Sequence, residues 1–210
     1  MKHTVSLKKN YEFGRVYKKG KFHAGKYLVL YVLKNKFDIK DYETLKKIES
    51  DIVFAALLEL ELNPIKGKFD KKHLYDIHRF LFQEIYDFAG QTRKEDISKG
   101  NTKFCVHTYI DEQLDELFNK VRAVDFKSLN DKEKAIDHLA YLMAELNIIH
   151  PFREGNGRAI REFIRELAEQ LGYKADWNRV DKENLMDAMI KSVFDTTELK
   201  RLFNVILSKI

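Results

Sequence analysis

From about residue 40 onward, apolar residues recur at three- and four-residue steps, the spacing of one face of an α-helix. Ile136, Leu139, Ala140, Met143, Leu146 and Ile149 form one such series. Ile160, Phe163, Ile164, Leu167 and Leu171 form another, and Gly172 is placed to cap its end. The pattern predicts helices over Tyr42–Glu61, Lys71–Tyr86, Ile110–Val121, Asp131–Ile149, Gly157–Leu171, Lys182–Ser192 and Thr196–Leu207. Pro64 and Pro151 are the only prolines, and Leu, Ala, Glu and Lys are abundant between them. An all-α fold is therefore expected. Thr92–Phe104 departs from the helical step and carries Lys99-Gly100-Asn101, so it predicts a short β-hairpin with that tripeptide at its tip.

The chain before residue 36 has a different character. Lys2, Lys8, Lys9, Arg15, Lys18, Lys19, Lys21 and Lys26 are opposed there by Glu12 alone, with Tyr11, Phe13, Tyr17 and Phe22 interleaved. Tyr27 to Leu33 then reads as an apolar strand. The expected division is a basic N-terminal arm over residues 1–35, partly disordered, and a helical domain over residues 36–210. Basic residues with aromatics can hold single-stranded nucleic acid. A net charge of +5, concentrated in the arm, is too modest to make RNA the main partner of the whole chain. A single Cys105 allows no intrachain disulfide and suits a reducing cytosol. There is no apolar run long enough to span a membrane and no secretory signal, so a cytoplasmic protein without a membrane partner is expected.

Chemistry is concentrated between the two strongest helices, in His150-Pro151-Phe152-Arg153-Glu154-Gly155-Asn156-Gly157-Arg158-Ala159-Ile160-Arg161. Gly155 and Gly157 leave backbone N–H groups unobstructed at a helix N-terminus, a natural cradle for phosphate. Arg158 and Arg161 are three apart and share a helix face, so both can engage phosphate oxygens. Asn156 can offer its side-chain amide to the same anion. Glu154 is a hard oxygen donor suited to Mg²⁺, which binds through one or two carboxylates plus substrate phosphates. His150 is the obvious general base for a hydroxyl nucleophile. Phe152 reads as an anchor to the core. Each piece alone has a plain explanation, such as a turn, a capping histidine or a solvated arginine face. Their conjunction points to one anion. His73 and His78, five apart, do not share a metal-facing helix face and read as structural, His138 as a helix-surface residue. Tyr173 to Trp177 is a candidate wall for a base, although aromatics there are more often core.

This string resembles the signature of the Fic (filamentation-induced-by-cAMP) family, His-x-Phe-x-Asp/Glu-Gly-Asn-Gly-Arg-x-x-Arg, at every specified position. The stretches Leu60 to Arg93 and Ile97 to Phe104 resemble the family's preceding helices and its flap. The resemblance implies an all-α, Fic-type helical domain with a short β-hairpin flap. It implies transfer of AMP from ATP, with Mg²⁺, to a Ser, Thr or Tyr hydroxyl of a target protein. His150 would be the catalytic base and Glu154 the metal ligand. Gly155, Asn156, Gly157, Arg158 and Arg161 would bind the nucleotide, and Lys103 and Phe104 in the flap would align the target. Other donors used by relatives (UMP, phosphocholine or phosphate) stay open, as does a non-catalytic RNA- or phosphate-binding module. The residues before Asn35 resemble instead the start of the bacterial ribonuclease P protein subunit.

Many relatives carry an inhibitory helix, Ser/Thr-x-x-x-Glu-Gly/Asn. Only Thr108 and Glu112 have that spacing here; Gln113 follows them, and the pair reads as a helix start capped by Thr108. A small antitoxin protein that supplies the inhibitory Glu beside Arg161 is the expected partner, which makes the chain the toxin of a toxin–antitoxin pair.

Overall fold

The computed structural model describes residues 17–23, 26–99, 102–129 and 131–210, with residues 17–31 given by their backbone pairing. The proposed hairpin tip at Gly100-Asn101 and the arm before Tyr17 lie outside the described residues. Two strands open the described chain, β1 (Tyr17–His23) and β2 (Lys26–Val32), paired antiparallel with Tyr17 opposite Val32. The expected strand is present, with a partner that the sequence did not reveal. Val32 is part of the core.

Most helices begin on an aspartate whose carboxylate accepts a first-turn N–H, satisfying donors that a helix leaves unpaired. Asp41 opens α1 (Tyr42–Leu62), Asp70 opens α2 (Lys71–Phe82), Asp131 opens α4 (Lys132–Ile149) and Asp181 opens α6 (Lys182–Lys191). Helix α2 stops four residues before its expected end, because Ile85 N and Tyr86 N both turn back to Phe82 O. That turn carries Ile85 and Tyr86 into the core. The hairpin follows as β3 (Ser98–Lys99) and β4 (Thr102–Lys103), Ser98 opposite Lys103. Helix α3 (Ile110–Arg122) is entered through a 3-10 turn at His107–Tyr109, and no side chain caps either start. The expected Thr108 cap is therefore absent; Asp96 accepts His107 N at 2.8 Å instead.

Helix α5 (Asn156–Gln170) is followed by β5 (Tyr173–Ala175), and α7 (Thr197–Ile206) by β6 (Leu207–Lys209). Strands β5 and β6 pair antiparallel, a sheet that the sequence did not announce. Tyr173 is buried in it as a core residue, not a ligand wall. Helices α4 and α5 form the centre, each burying ten residues, and α5 lies between α4 and α2. Phe163 on α5 meets Phe69 and the buried Phe118 of α3 edge-on. Each fully buried side chain of this kind contributes about 1.5–3 kcal/mol. His138 is half-buried against Phe126 rather than on the surface.

The buried face of α5 is also charged. Arg165 bonds Glu162 and Glu169 and reaches Leu60 O at 3.2 Å, while Glu166 lies 2.8 Å from His73 Nε2. His73 is thus structural, as expected. These pairs lock α5 to α1 and α2, and so fix the N-terminal end of α5 in place.

Candidate active site

Helix α4 ends on His150, which takes left-handed backbone angles (φ 47°, ψ 61°) and turns the chain sharply toward α5. The half-buried imidazole stacks on Phe104 from the hairpin, ring centroids 3.7 Å apart. Its Nδ1 lies 3.1 Å from Asn147 O. A carbonyl can only accept, so Nδ1 carries the proton and Nε2 is the basic nitrogen. Burial in the stack pushes the pKa down to about 4, assisted by Arg93 and Lys99 and opposed by the Asn147 carbonyl. The imidazole is therefore neutral at physiological pH and able to accept a proton.

Arg93 holds this end of α4. It is 4% exposed, and its guanidinium donates to His150 O (2.8 Å), Ile149 O (3.2 Å), Glu95 O (2.7 Å) and Cys105 O. One side chain thus ties the last carbonyls of α4 to both ends of the hairpin. Arg153 adds an ion pair to Glu95.

The loop between α4 and α5 is closed on itself. Asn156 Oδ1 accepts Phe152 N at 2.8 Å, and Asn156 Nδ2 donates to Phe152 O at 2.7 Å. The side-chain amide expected to meet phosphate is thus engaged within the loop and buried. What Asn156 offers a ligand is its main-chain N–H. Phe152 is fully buried and stacks on His78, centroids 3.7 Å apart, so the anchor role holds. His78 accepts Gly90 N at Nδ1 (2.8 Å) and donates from Nε2 to Glu154 O (2.9 Å). Burial holds it neutral, with its pKa lowered to about 4.

Gly155 has φ 77°, and a Cβ there would lie 2.2 Å from Phe82 Cζ, so no other residue fits. A Cβ on Gly157 would meet only the mobile end of Arg161. No side chain caps α5, which leaves its first amides open beside Gly155. Arg158 lies over the Phe82 ring, 2.5 Å from Glu49 Oε1 and 3.6 Å from Glu154 Oε1. Arg161, one turn further on, has no acidic partner among the described residues. Burial and the neighbouring Arg158 both disfavour its charge. Arg165 on the same helix faces two carboxylates, so the lack of an acidic partner is particular to Arg161.

Comparison with known proteins agrees with this geometry. The Fic/DOC family profile matches residues 68–168. The probable protein adenylyltransferase Fic of Escherichia coli K12 is 32% identical over 90% of this chain and 96% of its own length. The chain belongs to the Fic/DOC family. Protein adenylyltransferase VbhT of Bartonella schoenbuchensis is 38% identical over 80% of this chain, but the match spans only 35% of VbhT. The N-terminal Fic domain of a VirB-translocated Bep effector of Bartonella quintana, solved with bound ADP, superposes with a TM-score of 0.75 at 27% identity. That match covers 85% of this chain and 91% of the other. The ribonuclease P family profile matches residues 1–46.

The Fic motif residues named from sequence do converge. His150, Glu154, Gly155, Gly157, Arg158 and Arg161 surround the start of α5, with Phe104 packed on His150. Lys103 is exposed on β4, apart from the residues around the start of α5. Glu154 is half-exposed, with Oε1 accepting Gly155 N at 3.0 Å. No cluster of three metal-ligating residues exists among the described residues. A cation here would thus take Glu154 and complete its shell from phosphates and water, which fits Mg²⁺. The sequence reading missed the contacts by which Arg93 and His78 hold the loop and Glu49 holds Arg158. Their partners lie far away in the chain. Among the described residues no helix is long and apolar enough to cross a membrane.

Proposed function

We propose that this Fic protein is an adenylyltransferase that moves AMP from ATP to a Ser, Thr or Tyr hydroxyl of a target protein in the cytoplasm. One observation carries the reading: a neutral imidazole with Nε2 to spare stands beside a helix mouth whose Arg161 has no acid of its own. His150 Nε2 takes the proton of the target hydroxyl. The oxygen attacks the α-phosphorus in line, the bond to the bridging oxygen breaks, and pyrophosphate leaves. The first amides of α5, with Arg158 and Arg161, hold the phosphates and stabilise the charge that develops. Glu154 would hold Mg²⁺, which supplies charge neutralisation to the phosphates when bound. The hairpin carrying Lys103 and Phe104 would present a strand edge to the target backbone. The ADP-bound relative supports an adenine nucleotide at this site.

The unpartnered Arg161 also supports inhibition in trans, by a small antitoxin that lends a Glu to it. Residues 36–210 would form the transferase unit, and residues 1–35 a separate arm.

Transfer of label from α-labelled ATP to a protein, lost by about 10² to 10⁴ in His150→Ala, tests the reaction. Label arriving from γ-labelled ATP would make the chain a kinase. Label from UTP or a choline nucleotide would change the donor. RNA binding that survives His150→Ala, without any transfer, would leave a binding module.

A further inference from the structure

Arg158 stands between two carboxylates of unlike character. Glu49 comes from α1 and is half-buried, its side chain 12% exposed; Glu154 belongs to the motif and is 48% exposed. The same nitrogen, Nη2, lies 2.5 Å from Glu49 Oε1 and 3.6 Å from Glu154 Oε1. Glu49 is itself held, because Tyr86 OH donates to its Oε2. Tyr86 is almost fully buried, and burial together with the Glu49 contact raises its pKa, so the phenol keeps its proton. The guanidinium also rests on Phe82, the ring that forbids any side chain at Gly155. Arg158 is thus drawn to the interior side of the site, and its ion pair with Glu154 is long beside the short one with Glu49. A guanidinium closed on that carboxylate would compete with a metal for its oxygens.

We propose that Glu49 is a positioning residue that keeps Arg158 from closing fully on Glu154, so that Glu154 stays open to a divalent cation arriving with the nucleotide. The proposal rests on the reading of Glu154 as the metal-binding carboxylate. It assigns Glu49 a role that no motif residue has, from a helix more than a hundred positions upstream of Arg158.

The test is calorimetric titration of ADP into the full-length chain, at graded Mg²⁺ and with Mg²⁺ chelated. Glu49→Gln is expected to raise the Mg²⁺ needed for half-maximal tightening of ADP by about tenfold, and to weaken the chelated affinity far less than the affinity with Mg²⁺. In Glu154→Gln the same Glu49→Gln change should have no effect on Mg²⁺ dependence, because the two effects run through one carboxylate. An unchanged Mg²⁺ requirement in Glu49→Gln overturns the proposal. So does an equal loss with and without Mg²⁺, the result of a merely structural role. A wild-type chain that binds no ADP in either condition overturns the reading of the site and this proposal with it. Wild-type binding with Mg²⁺ beside an indifferent Glu49→Gln overturns the proposal alone.

Discussion

At the scale of single residues, the site is governed by which polar atoms are already engaged. His150 has one nitrogen committed to Asn147 O, and its pKa is lowered to about 4. The acid limb of kcat/KM for the free enzyme is therefore expected near pH 4, not near the ordinary 6.5. His78 is lowered to about 4 as well. Both folded values lie below the unfolded one, so between about 4 and 6.5 the unfolded chain binds more protons. Their contribution to stability is full above that window and is lost as pH falls through it. Urea midpoints measured across the window should decline toward acid. Gly155 gives a sharper test. Gly155→Ala adds a left-handed penalty of roughly 1–2 kcal/mol and an overlap with Phe82, so its urea midpoint should fall well below wild type.

At the scale of elements, Arg93 makes the hairpin and the end of α4 one unit. Arg93→Lys keeps the charge but loses the planar fork that serves four carbonyls. Leaving buried carbonyls unpaired costs about 1–3 kcal/mol, so His150 and Phe104 should lose their fixed stack. The expected result is a kcat about tenfold lower with ADP affinity nearly unchanged, because the start of α5 is held separately by His78. Legibility in the sequence divides along the same line. The helices and the hairpin were readable because their apolar spacing and turn residues are local. So was the motif, whose chemistry is contiguous. Arg93 bonds to residues 56 and 57 positions away, His78 to one 76 away and Glu49 to one 109 away, and only folding joins them. The strands β5 and β6 have three residues each, too few to show alternation. Asn156 could have been read correctly, since Asn side chains commonly bond neighbouring backbone.

At the scale of the whole molecule, the buried core among the described residues runs from Val32 to Leu207, with α4 and α5 at its centre. The charged pairs on α5 connect that core to α1 and α2. A chain beginning at Val32 is expected to unfold in a single transition within a few degrees of the full chain, about the shift of 1 kcal/mol or less. Differential scanning calorimetry of both would measure it, and AMP transfer by the shorter chain should match that of the longer. A large loss would place the β1–β2 hairpin inside the cooperative unit.

The left-handed angles at His150 bear on how an inactive version should be made. Alanine there removes the base but also leaves a side chain that resists this twist, so lost activity and a loosened helix end arrive together. Asparagine tolerates the same twist far better and has no proton-accepting ring. Crystals or pull-downs meant to trap a target would be better served by that replacement.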